Sequence, residues 1–382
     1  MISNRTLKIE EYCFESINKI KKEKLIKGEE ILDLGIGDPD LPVHENIINK
    51  LINALKFQGF NKYPPYEGIK ELKKEIIKYY NEVFNVNLQM DEVLVLIGSK
   101  EGIGHLLPVV CDYGDELIIT EPKYPPYERC SKLWNIKCNK IRLLEKNNYL
   151  LNLNSISKEV KDKSKLMILN YPNNPTGAVA NEYFYKEVIK YCKKNNILLC
   201  NDGAYNEIVD INTIPQSILS YDNSKTCIEI GTFSKTFNMT GFRIGYIVGN
   251  RKIINGLLKV KSSFDSGQFV PIQYAAIEAL KLPKSYIEKN RLIYYNRKVA
   301  VKEILSKKGI HYFNSKGTFY IWCSTPEGYT DKQICEEFIN ENGIIVTPGS
   351  AFGEKYNHFF RIALACKKEL IVGAMERIQE YK

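Results

Sequence analysis

The chain has 382 residues, of which 44% are hydrophobic and 26% charged, and its formal net charge is +9. These proportions are ordinary for a globular protein, and the length is enough for two domains or one large one. No run reaches the roughly 18 uninterrupted apolar residues of a membrane span, so no membrane association is expected.

The positive charge is distributed along the chain rather than gathered into one patch. No helix-turn-helix or other nucleic-acid module is recognisable, so no nucleic-acid partner is expected. None of the ten cysteines forms a C-x-x-C pair and only four histidines are present, which argues against a metal site. The charged N-terminal segment lacks the apolar core of a signal peptide, which predicts a cytoplasmic protein with reduced thiols.

The first part of the chain alternates helical patterns with loops rich in glycine and proline. An amphipathic helix is predicted over 5–26, before a strand that runs into the turn-rich loop ILDLGIGDPDLP at 31–42. Further helices are predicted over 45–58 and 68–84. The run at 91–110 predicts a buried strand, a Gly-Ser-Lys turn and a helix, whose free N–H groups are a suitable seat for phosphate.

The middle of the chain predicts an α/β fold with a largely parallel sheet covered by helices. Its strand-like runs lie at 116–120, 137–143, 165–169, 197–201, 226–230 and 244–248. Its helical stretches lie at 124–134, 181–194 and 250–261. Ligands bind at the carboxyl ends of the strands in such sheets. Chemically suited residues follow five of the strands, namely Ser99, Tyr124, Asn174, Asp202 and Lys235.

From about residue 270 the pattern changes to that of a smaller α+β domain. A long helical region at 270–308 leads to strand-like runs at 311–313, 318–323, 344–347 and 359–364, with helices near 330–341 and 367–381. We therefore expect a large domain of residues 46–270. A small domain of residues 271–382 would include the N-terminal arm, residues 1–45.

One lysine, Lys235, lies in the glycine-bracketed segment GTFSKTFNMTGFRIGYIVG. A lysine amine becomes a useful nucleophile when burial or nearby cations lower its pKa, or when it is held as an imine. Ser234 and Arg243 are suited to binding a phosphate. A lysine for a carbonyl beside a serine and an arginine for a phosphate predicts a pyridoxal phosphate (PLP) site. The alternative is an ordinary solvated loop, since lysine and arginine together number 54.

Other side chains have a role that fits such a site. Asp202 would hold a proton on the pyridine nitrogen, although it could instead be a loop aspartate. Asn174 and Tyr205 are donors for the phenolic oxygen, and PNNPTG could equally be a simple turn. Tyr124 would stack on the ring or belong to the core. Arg361, within an apolar strand, needs an anion, either a substrate carboxylate or an internal salt bridge.

The chain resembles the PLP-dependent aminotransferases of fold type I, class I/II, over almost its whole length. This resemblance implies a large domain with a mostly parallel, seven-stranded sheet and a smaller α+β domain. The resemblance rests on LGIGDPDLP, YPPYEG, PNNPTG, DGAY, SKTFNMTGFRIGY and FFRIAL. It implies a homodimer with shared active sites, amino-acid and 2-oxo-acid substrates, Lys235 as the Schiff-base lysine and Arg361 on the substrate carboxylate. The residues implied on the phosphate side are Ser99, Lys100, Ser234 and Arg243. Tyr63 could also reach a phosphate, in a neighbouring subunit's site.

Within the family, LIGSKEGIGHL, LGIGDPDLP, SFDSGQF and TPGSAFG are most similar to LL-diaminopimelate aminotransferases. The resemblance implies ping-pong transfer from LL-diaminopimelate to 2-oxoglutarate, giving tetrahydrodipicolinate and glutamate. The residues implied at the substrate are Tyr12, Gly37, Lys100, Tyr124, Asn174 and Arg361, with Glu67 a weak candidate for the distal ammonium. Three alternatives stay open: a general alanine, aspartate, methionine or aromatic aminotransferase, a cystathionine-type β-lyase, and a non-catalytic regulator on the same fold.

Overall fold

The structure is a computed structural model that describes residues 1–9 and 15–381. Its strands, β1 to β12 in chain order, are Leu32–Asp33, Val93–Leu96, Glu116–Glu121, Lys137–Arg142, Ser164–Leu169, Leu198–Asp202, Ile228–Thr232, Gly245–Gly249, Tyr320–Ser324, Ile344–Ile345, Thr347–Pro348 and Phe359–Ala363. Its α-helices, α1 to α14, are Asn4–Leu7, Glu15–Ile26, Glu45–Ala54, Lys70–Phe84, Ser99–Val110, Pro126–Leu133, Lys158–Lys163, Glu182–Lys194, Phe233–Thr236, Arg251–Lys261, Val270–Leu280, Lys284–Lys307, Asp331–Asn342 and Lys368–Glu376. Among the described residues, no helix combines the length and apolarity that crossing a membrane requires.

Seven strands form one mixed sheet in the order β2-β8-β7-β6-β5-β3-β4. Strand β8 is antiparallel to both of its neighbours, and the other six strands all run in one direction. In β5, Leu166 and Ile168 pack into one hydrophobic cluster while Met167 and Leu169 pack into another. Both faces of the strand are therefore buried, which explains its continuous apolar sequence. The predicted α/β fold with a mostly parallel, seven-stranded sheet is confirmed.

The direction of the strands gathers the predicted strand-end residues at one edge of this sheet. Ser99 opens α5 after β2, Asp202 ends β6, and Lys235 lies in α9 directly after β7. Tyr124 and Asn174 lie in the loops that follow β3 and β5. Because these five strands point the same way, their carboxyl ends share an edge.

A smaller group of strands lies across that edge. Strands β11, β12 and β9 form an antiparallel sheet, and the N-terminal β1 pairs in parallel with β10. One hydrophobic cluster contains Ile321 and Phe360 of the small sheet, together with Leu34. Tyr205 and Ile208, which follow β6 of the large sheet, belong to the same cluster. The two sheets are therefore joined by a common core.

Several predicted elements differ from those observed. The helical region predicted at 270–308 is two helices, α11 and α12, because Pro283 precedes α12 and a proline disfavours helical geometry in the residue before it. The strand predicted at 344–347 divides into β10 and β11, which belong to different sheets. The strand predicted at 311–313 is reduced to one bridge between Tyr312 and Cys323. Within the described part of the helix predicted at 5–26, α1 ends at Leu7 and α2 covers Glu15–Ile26.

Candidate active site

A cavity of about 660 Å³ lies at the carboxyl edge of the large sheet. Residues from both sheets line it, including Asp202 at the end of β6 and Arg361 of β12. The predicted site residues that line this cavity are Gly37, Ser99, Lys100, Tyr124, Asn174, Asp202, Tyr205, Ser234, Lys235, Arg243 and Arg361. One fold feature, the shared strand direction, therefore brings most of the predicted site together.

Two sequence-based candidates lie away from the cavity lining, and a third is not described. Tyr63 is 89% exposed and does not line the cavity, so its predicted role at a neighbouring subunit's phosphate stays a prediction. Tyr12 lies outside the described residues. Glu67 does not line the cavity, and its carboxylate binds the ammonium of Lys73.

Lys235 lies in the short helix α9, which begins immediately after β7. The side chain of Thr232 caps this helix by accepting a hydrogen bond from the backbone N–H of Ser234. The amine of Lys235 donates to the backbone oxygen of Gly37 across 2.6 Å. Burial lowers the pKa of Lys235 to about 8, against an opposing effect of the Asp38 carboxylate. About a tenth of this amine is therefore neutral at pH 7, which suits a nucleophile or a base.

Asp202 is a buried carboxylate and not the exposed loop residue of the alternative interpretation. It is 3% exposed, and its Oδ2 accepts a 2.7 Å hydrogen bond from the hydroxyl of Tyr127. Its Oδ1 accepts a hydrogen bond from the backbone N–H of Ala204. Burial raises the pKa of Asp202 to about 6, and the Tyr127 hydrogen bond opposes that rise. The carboxylate is mainly ionised at pH 7, so it can face a cationic N–H group.

Arg361 is a buried cation of β12, with an exposed fraction of 4%. Its Nη1 donates to Oδ1 of Asn174 across 2.8 Å, and its Nη2 donates to the backbone oxygen of Gly35 across 2.6 Å. The guanidinium carbon lies 4.1 Å from the ring centre of Tyr320 and 4.8 Å from that of Phe352. No carboxylate in residues 1–9 or 15–381 forms an ion pair with Arg361, and its buried Nε has no acceptor there. The alternative of an internal salt bridge is thus not observed in the described part, and an anionic ligand would satisfy this charge.

The start of α5 and Arg243 form a second cationic end of the cavity. A Cβ atom on Gly98 would lie 2.7 Å from Nη2 of Arg243, and one on Gly245 would lie 2.9 Å from the backbone nitrogen of Ser99. Nη1 of Arg243 donates to the backbone oxygen of Thr240 across 2.7 Å. The two glycines allow the guanidinium and the helix start to come close together. Both are good donors for a phosphate.

Two tyrosines that the sequence prediction omitted also line the cavity. Tyr127 binds Asp202, and Tyr320 has its hydroxyl 2.9 Å from the hydroxyl of Tyr205. Tyr127 could have been suspected, because it stands three residues after Tyr124 in the helix predicted at 124–134, and residues three apart share a helix face. Tyr320 lies in the apolar run TFYIW, which gives no local signal of a polar role.

Comparisons with known proteins agree with this arrangement. The family model "Aminotransferase class I and II" matches residues 29–378. The chain is 40% identical over 382 residues to the LL-diaminopimelate aminotransferase of Aquifex aeolicus (strain VF5), covering 100% of this chain and 99% of that relative. It is 41% identical over 373 residues to the enzyme of that name from Natranaerobius thermophilus, covering 97% and 96%. The apo structure of BacF from Bacillus subtilis has a TM-score of 0.95 and 32% identity, covering 99% of this chain and 98% of that one.

The donor set of the cavity fits PLP, the cofactor on which this family depends. A buried amine with a lowered pKa suits its aldehyde, and the anionic Asp202 suits its ring nitrogen. The space kept open by Gly98 beside Arg243 suits its phosphate. The buried Arg361 is left for a second anion. In sequence, fold and site chemistry, the chain belongs to the class I and II aminotransferases and is a PLP-dependent enzyme.

Proposed function

We propose that this enzyme transfers an amino group from LL-diaminopimelate to 2-oxoglutarate, giving tetrahydrodipicolinate and glutamate. The observation that carries the chemistry is the placement of Lys235, Asp202 and Arg361 around one cavity. The choice of substrate is supported by relatives that carry this name at about 40% identity over nearly the whole chain.

The cavity residues divide by the part of PLP that each would hold. Asp202 would face the ring nitrogen, and Tyr124 would cover the ring. Asn174 and Tyr205 would donate to the phenolic oxygen. The residues proposed for the phosphate are Ser99, Lys100, Ser234 and Arg243. Lys235 would bind the aldehyde carbon, and Gly37 and Lys100 would contact substrate.

The hydrogen bond to Asn174 determines which way its side-chain amide faces. An arginine can only donate, so the atom of Asn174 that binds Arg361 must be the oxygen Oδ1. The Nδ2 group is consequently left as a donor. This polarity is the one that a negatively charged phenolic oxygen requires.

Bound PLP supplies an electron-withdrawing ring that stabilises the electron pair released when the α-C–H bond of the substrate breaks. Arg361 would hold the substrate carboxylate and so orient that bond. Nζ of Lys235 would take up the proton, since its lowered pKa makes the neutral amine accessible near pH 7. The negative charge of Asp202 would favour a proton on the ring nitrogen.

We also propose a homodimer with shared active sites, in which the exposed Tyr63 reaches the partner's phosphate site. Mixing inactive Lys235→Ala subunits with Tyr63→Ala subunits would test this, because a hybrid dimer would regain one complete site. If the mixture stays as inactive as each variant alone after subunit exchange has been demonstrated, the active sites are not shared.

The division into a domain of residues 46–270 and one of residues 1–45 with 271–382 remains part of the proposal. A cytoplasmic location does too, and it is supported by nine described cysteines that are all free.

The test is the visible absorption of the PLP-loaded enzyme during separate additions of LL-diaminopimelate, glutamate and alanine. We expect the band to decrease with the first two donors and to change little with alanine. A stronger response to alanine or to an aromatic donor would overturn the substrate while leaving the transaminase chemistry. Absence of any cofactor band after incubation with PLP would overturn the function of Lys235.

A further inference from the structure

Tyr320, the first residue of β9, touches three parts of the site at once. It is 2% exposed, and its hydroxyl lies 2.9 Å from the hydroxyl of Tyr205. Its ring lies against the guanidinium of Arg361, with 4.1 Å between the guanidinium carbon and the ring centre. A Cβ atom added to Gly37 would lie 1.8 Å from the hydroxyl oxygen of Tyr320, so only glycine fits there. This buried hydroxyl is therefore held in one place.

The direction of the Tyr205–Tyr320 hydrogen bond follows from counting protons. Either hydroxyl could be the donor on geometry alone. Each tyrosine hydroxyl has a single proton. Burial raises the pKa of Tyr205 well above its ordinary value, so Tyr205 keeps its proton at physiological pH. If Tyr205 uses that proton to donate a hydrogen bond to the phenolic oxygen of PLP, then Tyr320 must be the donor in the hydrogen bond between the two tyrosines.

We propose that Tyr320 is a positioning residue whose hydroxyl donates to Tyr205 and thereby fixes Tyr205 as a donor toward the cofactor. This inference rests on the proposed function, in which Tyr205 faces the phenolic oxygen. A donor bound to the oxygen of Tyr205 polarises its O–H bond and makes it a stronger donor in turn. The chain from Tyr320 through Tyr205 thus favours the ionised phenolic oxygen.

A simple packing role for Tyr320 makes a different prediction. The side chain is surrounded by aromatic rings, including Phe319 at 4.9 Å and Tyr205 at 5.7 Å between centroids. Phenylalanine would fill the same volume and keep the ring against Arg361. If packing were the whole role, Tyr320→Phe would leave the cofactor unchanged.

Tyr294 offers a matched control in the same hydrophobic cluster. It is also 2% exposed, and its ring lies 5.0 Å from that of Phe319. Its hydroxyl has no hydrogen-bond partner within the described ranges, and the residue does not line the cavity. Tyr294→Phe therefore removes a buried hydroxyl of the same kind without touching the proposed chain.

The experiment titrates the visible band of the bound cofactor against pH in the wild type, Tyr320→Phe, Tyr205→Phe, the double variant and Tyr294→Phe. The midpoint is the pH at which half of the band has changed. Without the donor the phenolic oxygen holds a proton more tightly, so this midpoint should rise by about half a pH unit in Tyr320→Phe and by more in Tyr205→Phe. The double variant should match Tyr205→Phe, because Tyr320 acts through that residue. We expect kcat/KM to fall several-fold in Tyr320→Phe and to stay unchanged in Tyr294→Phe.

Three results would overturn the inference. The first is a Tyr320→Phe midpoint equal to that of the wild type and of Tyr294→Phe. The second is a full additional shift in the double variant, which would place the effect outside Tyr205. The third is failure of Tyr320→Phe to fold, because that would show a structural role for the hydroxyl. An error in the proposed function itself would be recognised separately, because the wild type would then show no cofactor band and no turnover of LL-diaminopimelate.

Discussion

Arg361 donates a 2.8 Å hydrogen bond to Oδ1 of Asn174, and this contact joins β12 to the loop after β5 across 187 positions of the chain. The same guanidinium binds the backbone oxygen of Gly35 and leaves Nε without an acceptor in the described part. Arginine has five N–H donors in one plane, so it can keep both contacts and still bind a carboxylate. Lysine has the charge without this geometry.

Arg361→Lys should therefore raise KM for the amino donor and the oxo acid by about 100-fold, the effect of losing two charge-assisted hydrogen bonds. The visible band of bound cofactor should persist. Steady-state kinetics measures the change. The control is Arg291→Lys, since the hydrogen bonds of Arg291 to described residues all go to backbone oxygens outside the cavity, those of Val209, Asp210 and Thr213. Equal KM values in Arg361→Lys and the wild type would exclude Arg361 from substrate binding.

Lys235 should govern how fast the apoenzyme takes up PLP. Burial lowers its pKa to about 8, so the neutral amine is scarce below pH 8 and predominant above it. The rate of appearance of the visible band should rise with pH, with a midpoint near 8, and then level off. Asp38→Asn should move that midpoint to lower pH, because the negative charge of Asp38 raises the pKa of Lys235.

Two variants control the uptake experiment. Lys235→Ala should give no band at any pH, while its circular dichroism stays that of a folded protein. Glu45→Gln removes an exposed carboxylate at the start of α3 and should leave the midpoint where it is. A midpoint that Asp38→Asn leaves unchanged would show that this carboxylate does not act on the amine.

The strand ends of the large sheet were predictable from sequence because they depend on local patterns. Apolar runs followed by Asp202 or by the Ser-Lys pair at Lys235 show both the strand and its end. Contacts between the sheets were not predictable in this way. Tyr320 reaches Tyr205 only because β9 packs across the edge of the large sheet, 115 positions away. The break between α11 and α12 at Pro283 was predictable from the sequence, since proline disfavours the helical conformation in the residue before it.

Tyr127 should set the acid limit of activity through Asp202. Burial raises the pKa of Asp202 to about 6, and the donated hydrogen bond of Tyr127 holds it down. Below its pKa the carboxyl is protonated and no longer attracts a ring N–H group, so kcat/KM should fall on the acid side of the profile. A cationic N–H group of bound PLP beside Asp202 lowers the carboxyl pKa further, so this fall should lie below pH 6. Tyr127→Phe removes the donor and should move this limb to higher pH, by about 1 unit.

Tyr185→Phe is the control for that profile. Tyr185 is as buried as Tyr127, but its hydroxyl lies toward the backbone oxygen of Tyr171 and away from the cavity. Its pH profile should match that of the wild type. If the acid limb of the Tyr127→Phe profile lies at the same pH as that of the wild type, then protonation of Asp202 does not cause this limb.

Gly98→Ala should weaken PLP binding at the phosphate end. The new Cβ would lie 2.7 Å from Nη2 of Arg243, so the guanidinium must move. Gly98 also has a φ of +79°, which costs alanine about 1 kcal/mol of stability whatever its surroundings. Gly114→Ala separates the two effects, because Gly114 has a φ of +91° and no atom of residues 1–9 or 15–381 lies within 4 Å of its Cβ position. Both variants should lose similar thermal stability as apoenzymes, whereas only Gly98→Ala should raise the Kd for PLP, by about 10-fold, the value of one displaced charge-assisted donor. Equal Kd values in the two variants would mean that backbone strain alone, and not the placement of Arg243, explains the glycine at position 98.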